Sequence, residues 1–282
     1  MGTSQSSGGP GGGVPMVPPW TPPLPPDTAD VGSDDGSGQE DPAPQTAPVA
    51  PVAPIPVAAP ARFRGTRRSL GDYVRSGDGR ELRRSLGHYV RSGYGGAGTA
   101  TRRFGGTVTT ADALGGMLAR VAAGEPAPPG SVLDPIILSG RSAQEIMDAV
   151  VEAVRPVDGT QDAEADRASI RDALSELLTL FPEADLLNLD PEQRTFAIER
   201  FTANSVFRRF DLDTGKTIIE KAPSVEVALA RLKEIRNYIK QSVAAAFRKL
   251  RDAGRGLTSG RIGWVVRRAL EETFAVFEAY SE

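Results

Sequence analysis

The chain has 282 residues, with 33 Lys or Arg against 36 Asp or Glu, one His, no Cys and a net charge of -3. Without cysteine, disulfides, thiolate metal sites and cysteine nucleophiles are excluded together. No run of about 18 apolar residues is present to span a membrane, and a cytoplasmic location is expected.

The net charge conceals a segregation along the chain. Residues 1–61 hold six acids and no base, whereas residues 62–103 hold eleven Arg and three acids. Such asymmetry reports interaction surfaces more than fold. Residues 1–60 contain 15 Pro and 9 Gly, a composition that cannot bury enough apolar surface to fold and reads as a disordered arm over 1–61. Its Ala/Pro/Val stretch from Pro42 to Pro60 favours extended polyproline conformations and acts as a spacer.

A tandem repeat follows in an Arg-rich segment, 62–108. Arg67-Arg68-Ser69-Leu70-Gly71-Asp72-Tyr73-Val74-Arg75-Ser76-Gly77 recurs sixteen residues later as Arg83 to Gly93, with His88 in place of Asp72. In each copy Leu, Tyr and Val stand at i, i+3 and i+4, one face of a short helix closed by glycine. Two units this small cannot bury that face alone, so it docks on the rest of the chain or on a partner.

The remainder, 109–282, reads as an all-α domain, an antiparallel helical bundle. Helices are predicted from Thr110 to Ala123, from the Ser142-Ala143-Gln144-Glu145 capping box to Pro156, and from about Asp162 to Pro182. Another opens at Asp190-Pro191-Glu192-Gln193. The longest is expected from Ser224 to Ala253, with Leu229, Leu232, Ile235, Ile239, Val243, Phe247 and Leu250 as its apolar stripe and Gly254 and Gly256 beyond its end. The last runs from Ser259 to about Tyr280.

Chemistry-bearing motifs are few. Asp213-Thr214-Gly215-Lys216-Thr217 imitates the end of a P-loop, but Phe210 stands where the first glycine belongs. As a calcium loop starting at Asp211 it fails at Ala222, where a bidentate Glu is required. The acids Asp158, Asp162, Glu164 and Asp166 suit a helix start better than a magnesium site. No catalytic group, metal or cofactor is expected. The strongest electrostatic feature is the repeat, whose Arg67, Arg68, Arg83 and Arg84, with Tyr73, Tyr89, Tyr94 and Phe104 near by, fit phosphate binding and base stacking, or contacts with protein. At the other end, Gly2 permits removal of Met1 and leaves an unhindered α-amine, and Gly2 to Ser6 also satisfies the myristoylation pattern, without a nearby polybasic patch to reinforce it.

Met1-Gly2-Thr3-Ser4, the Pro-Pro-Trp20 arm, the Arg-Arg-Ser-Leu-Gly-x-Tyr-Val-Arg repeat and the stretch Arg155-Pro156-Val157-Asp158-Gly159-Thr160-Gln161-Asp162-Ala163-Glu164 together resemble the QatB family. Its members are subunits of a bacterial antiphage defence system whose other components are an ATPase, a QueC-like enzyme and a TatD-like nuclease. The resemblance implies a non-enzymatic subunit with those three proteins as partners. QueC enzymes activate a deazaguanine carboxylate with ATP and pass it to an amine. The Gly2 amine is therefore expected as an acceptor, with Thr3, Ser4 and Trp20 recognised by the partner. The alternative is a nucleic-acid adaptor acting through the arginine repeat.

Overall fold

A computed structural model describes residues 61–125, 132, 133, 138, 140–258 and 260–281. The arm predicted over 1–61 lies outside them but for Ala61, as do Gly2, Thr3, Ser4 and Trp20. Among the described residues the regular structure is helical throughout: α1 (Arg64–Ser76), α2 (Gly79–His88), a π-helical turn (Tyr89–Tyr94), α3 (Ala97–Arg103), α4 (Gly105–Ala122), α5 (Ala143–Val154), α6 (Gln161–Leu180), α7 (Pro191–Lys221), α8 (Val225–Asp252) and α9 (Ile262–Ala279). The fold is all-α, with successive long helices packed antiparallel across short connections.

Local sequence explains most helix starts. The Asp78 side chain accepts from the Arg80 N–H, Thr160 from Ala163 and Ser224 from Val227. Ser142 with Glu145 and Asp190 with Gln193 form complete capping boxes, the second followed by Pro191 at the first helical position. Each side-chain oxygen satisfies an amide that has no partner inside its own helix.

One hydrophobic cluster takes in Phe63 near the start of the described chain and Phe277 near its end. The two repeat copies belong to it, with Leu70, Tyr73 and Val74 of α1 matched by Leu86, Tyr89 and Val90. Burying a leucine fully contributes roughly 2 kcal/mol, so the repeat faces are part of the domain's stability. Against them pack α7 and α9, with α1 on the first and α2 on the second.

Four expectations are corrected. The longest helix is α7, 31 residues, rather than α8, 28 residues. Helix α7 escaped full recognition because it is central: Phe201 to Val206 are buried without interruption and Thr214, Gly215, Thr217 and Ile218 are buried further on, so no one-sided stripe marks it. Leu229, assigned to the buried stripe of α8, is 60% exposed, and in those first turns the neighbouring Ala228 is the buried residue instead. Helix α4 begins at Gly105, five residues before Thr110. Finally, Gly77 closes the first repeat copy in the left-handed region at φ 74°, but Gly93 does not close the second. The helix continues through Gly93 and ends at Gly95, φ 81°. Gly93 is instead a packing glycine, for a Cβ there would lie 2.4 Å from the Phe63 ring.

Candidate functional site

The four arginines singled out in the repeat, Arg67, Arg68, Arg83 and Arg84, are all exposed. Arg67 donates through Nη2 to the Asp213 carbonyl at 3.2 Å, and Arg84 pairs with Glu81 at 3.6 Å. Among the described residues no carboxylate lies within 4.0 Å of Arg68 or Arg83. The aromatic residues expected to stack beside them are placed elsewhere. Tyr73, Tyr89, Tyr94 and Phe104 are buried in the core; for Tyr73 and Tyr89 the spacing that sets them on one helix face with Leu and Val also turns that face inward.

Those tyrosines build a polar cluster inside the domain. Tyr89 and Tyr94 both donate to Asp213 Oδ2 at 2.9 Å, and Arg62 stands 3.8 Å from Oδ1 of the same carboxylate. Phe63 stacks on Tyr89 at 5.3 Å between ring centroids, and Phe210 meets the other side edge-on at 4.9 Å. Burial, then the neighbouring Tyr94 and Asp213, push the Tyr89 hydroxyl far above its ordinary pKa, so it remains a donor. Arg209 donates to the Tyr94 oxygen at 3.3 Å and pairs with Asp162. Burial opposes its charge, but Tyr94, Asp162 and Asp213 outweigh that and hold its pKa above the usual guanidinium value. A second anchor joins Tyr73, whose hydroxyl donates to Glu234 Oε2 at 2.5 Å, while Arg231 lies over its ring.

The P-loop look-alike is thereby accounted for. Asp213 to Thr217 is mid-helix in α7; Thr214 is buried and donates to the Phe210 carbonyl, and Lys216 is exposed and pairs with Glu220. Nothing there presents a row of backbone amides to a phosphate. The acids near the start of α6 are likewise spread over separate partners: Asp158 on Arg155 at 3.1 Å, Asp162 on Arg209, Glu164 near Arg167 at 3.8 Å. Asp166 accepts from Thr110 at 3.0 Å, and burial raises its pKa despite that bond and Arg155. Among the described residues no three His, Asp or Glu side chains are grouped to hold a metal. His88 is half-buried, facing Gly65, where a Cβ would come within 3.2 Å of its ring.

A further polar network links α6, α7 and α8. On α6, Asp172 accepts from Arg208 at 2.7 Å and from Arg236 at 2.5 Å, while Glu176 accepts from Lys240 at 2.6 Å. The signal was present as matched four-residue spacings, Asp172 with Glu176 and Arg236 with Lys240, which set like charges in register on facing helices.

No curated protein and no solved structure matches the chain. Residues 95–277, from the end of the repeat to the last turns of α9, match the family described as Qat anti-phage system associated protein QatB. The repeat precedes the matched region yet shares its hydrophobic cluster. The chain belongs to the QatB family and is a component of an anti-phage defence system.

Proposed function

We propose that this chain is a non-enzymatic, cytoplasmic subunit of its defence system that serves as a protein substrate and as a scaffold. In this reading the initiator Met1 is removed and the Gly2 amine attacks a deazaguanine carboxyl activated by the QueC-like enzyme. An amide forms, the amine loses a proton and the activating group departs. Thr3 and Ser4, with Trp20 further along, are read by that enzyme, and the helical body holds the ATPase and the TatD-like nuclease. The observation that carries the reading is a contrast. A family member of an anti-phage system combines Met1-Gly2-Thr3-Ser4, followed by a base-free run with 15 Pro in its first 60 residues, with a body whose inner tyrosines and carboxylates are engaged in structural pairs. Among the described residues no helix is long and apolar enough to cross a membrane.

The test is the mass of the N-terminal peptide after co-expression with the QueC-like enzyme. An added mass on Gly2, absent without that enzyme and altered by Gly2→Ala, is expected. An unmodified peptide in a system that still defends against phage overturns the proposal.

The exposed Arg67, Arg68, Arg83 and Arg84 support a second reading, in which the repeat brings DNA to the nuclease or ATPase. It expects salt-dependent DNA binding that is lost when the four are changed to Glu. Full defence by that variant counts against it.

A further inference from the structure

Between the start of α4, the start of α6 and the middle of α7 lies a cavity of about 170 Å³. Three guanidinium groups reach its wall from three elements: Arg103 from the end of α3, Arg155 from the end of α5 and Arg209 from α7. Asp162 and Asp166 also line it. Asp162 is taken up by Arg209, and Asp166 by Thr110, with Arg155 Nε 3.9 Å away; Arg155 also pairs through Nη2 with Asp158 at 3.1 Å, a residue outside the lining. Arg103 is exposed, and no carboxylate among the described residues lies within 4.0 Å of it.

Ser205 is the second and independent observation. It is 5% exposed and lines the cavity, and its Oγ has no hydrogen-bond partner among the described residues. Hydroxyls on these helices ordinarily fold back onto the carbonyl four residues earlier. Thr202 donates to Ile198, Thr214 to Phe210, Ser242 to Tyr238 and Thr273 to Ala269 in this way. Ser205, on the same helix as the first two, does not. A buried hydroxyl without a partner costs about 1–3 kcal/mol, a cost that a ligand oxygen in the cavity removes. Arg155 Nε, on the same wall, is also buried and without a hydrogen-bond partner. The first residues of α4, Gly106 and Thr107, complete the lining at a helix start that has no side-chain cap, so the positive end of that helix faces the cavity.

We infer that this cavity binds the oxyanion group of a small ligand, a phosphate ester or a carboxylate, held by Arg103 and Arg155 and by the Ser205 hydroxyl. Arg209 stays paired with Asp162 and supplies background charge. The volume sets the size of the ligand. Pockets for whole drug-sized molecules hold roughly 300–1,000 Å³, so this one accepts an anionic head group and a few more atoms. The side of Phe104 and the exposed Leu212 offer those atoms an apolar surface. The site is independent of the Gly2 reaction and stands or falls separately from it.

Calorimetric titration of the full chain with inorganic phosphate, and separately with acetate, at constant ionic strength tests the inference. Saturable binding of at least one ion at or below ~10 mM is expected, and the ion that binds more tightly tells phosphate from carboxylate. The double variant Arg103→Ala/Ser205→Ala is expected to lose about tenfold or more in affinity. Its melting temperature in chloride alone should equal or exceed the parent's, since Arg103 is exposed and Ser205→Ala removes a buried hydroxyl that has no partner. If the double variant melts early, Arg103→Ala alone is used. No saturable binding of either ion, or unchanged affinity in the properly folded variant, overturns the inference.

Discussion

Tyr89 on the second repeat copy and Asp213 in the middle of α7 are joined by a 2.9 Å hydrogen bond across 124 residues of sequence. The carboxylate side chain is 15% exposed and also receives the Tyr94 hydroxyl. Asp213→Ala leaves both buried hydroxyls and Arg62 without their acceptor, an expected loss of about 3 kcal/mol. Tyr89→Phe removes one bond and is expected to cost about 1 kcal/mol. Urea denaturation of the two single variants and the double variant should show strong non-additivity. Additive losses would mean that the two residues act separately.

The repeat copies are nearly identical in sequence but differ in what surrounds their glycines. A Cβ on Gly87 would come within 2.6 Å of the Ser281 backbone nitrogen and 2.9 Å of the Tyr280 carbonyl carbon, whereas on Gly71 it would lie 3.4 Å from a flexible Lys221 side chain. Gly87→Ala is expected to destabilise by about 1–3 kcal/mol through overpacking. Gly71→Ala should be neutral or stabilising by up to ~1 kcal/mol, as alanine favours a helix interior. Thermal melts of the pair separate the two outcomes, and equal effects would show that the copies are packed alike.

His88 has its pKa lowered first by burial and then by Arg84 and Arg91, with Glu81 acting the other way. The unfolded chain therefore takes up the proton first as pH falls through about 6.5. Stability declines from there until the folded state is protonated as well, then levels off. His88→Asn removes that decline. Melting temperatures followed from pH 8 to 5 for parent and variant should converge at the acid end relative to the alkaline end, and parallel curves would exclude His88 as the source.

At the start of α5, Glu145 accepts from the Ser142 backbone N–H, from Arg141 and from the Ser142 hydroxyl, and its pKa falls to about 2. A lowered folded pKa means stability that is present above the unfolded value near 4.3 and is lost as pH falls through about 2. Glu145→Gln keeps the reciprocal cap but drops the charge. Helicity followed by circular dichroism should show a smaller acid-induced loss in the variant than in the parent between pH 4.5 and 2.

The all-α class and most helix boundaries were legible in the sequence because their causes are local. The Ser142, Asp190 and Ser224 caps and the three- and four-residue spacing of Ile235, Ile239 and Val243 act within one or two turns. The family resemblance was legible in the same way, as contiguous strings of residues. The interior assignments were not. The spacing already sets Tyr73 and Tyr89 on a docking face with Leu and Val, but nothing near them in sequence announces whether that face meets this chain or a partner, or that Glu234 and Asp213 will meet their hydroxyls. Tertiary packing separated arginine from tyrosine, turning the tyrosines inward with Leu70 and Leu86 and leaving the arginines in water. It also made Gly93 a packing position, buried Thr214, Gly215 and Thr217 within the longest helix and gathered Arg103, Arg155, Arg209 and Ser205 around one cavity. A side chain's fate depends on which helix covers it, and that is set by burial of apolar area over the whole chain.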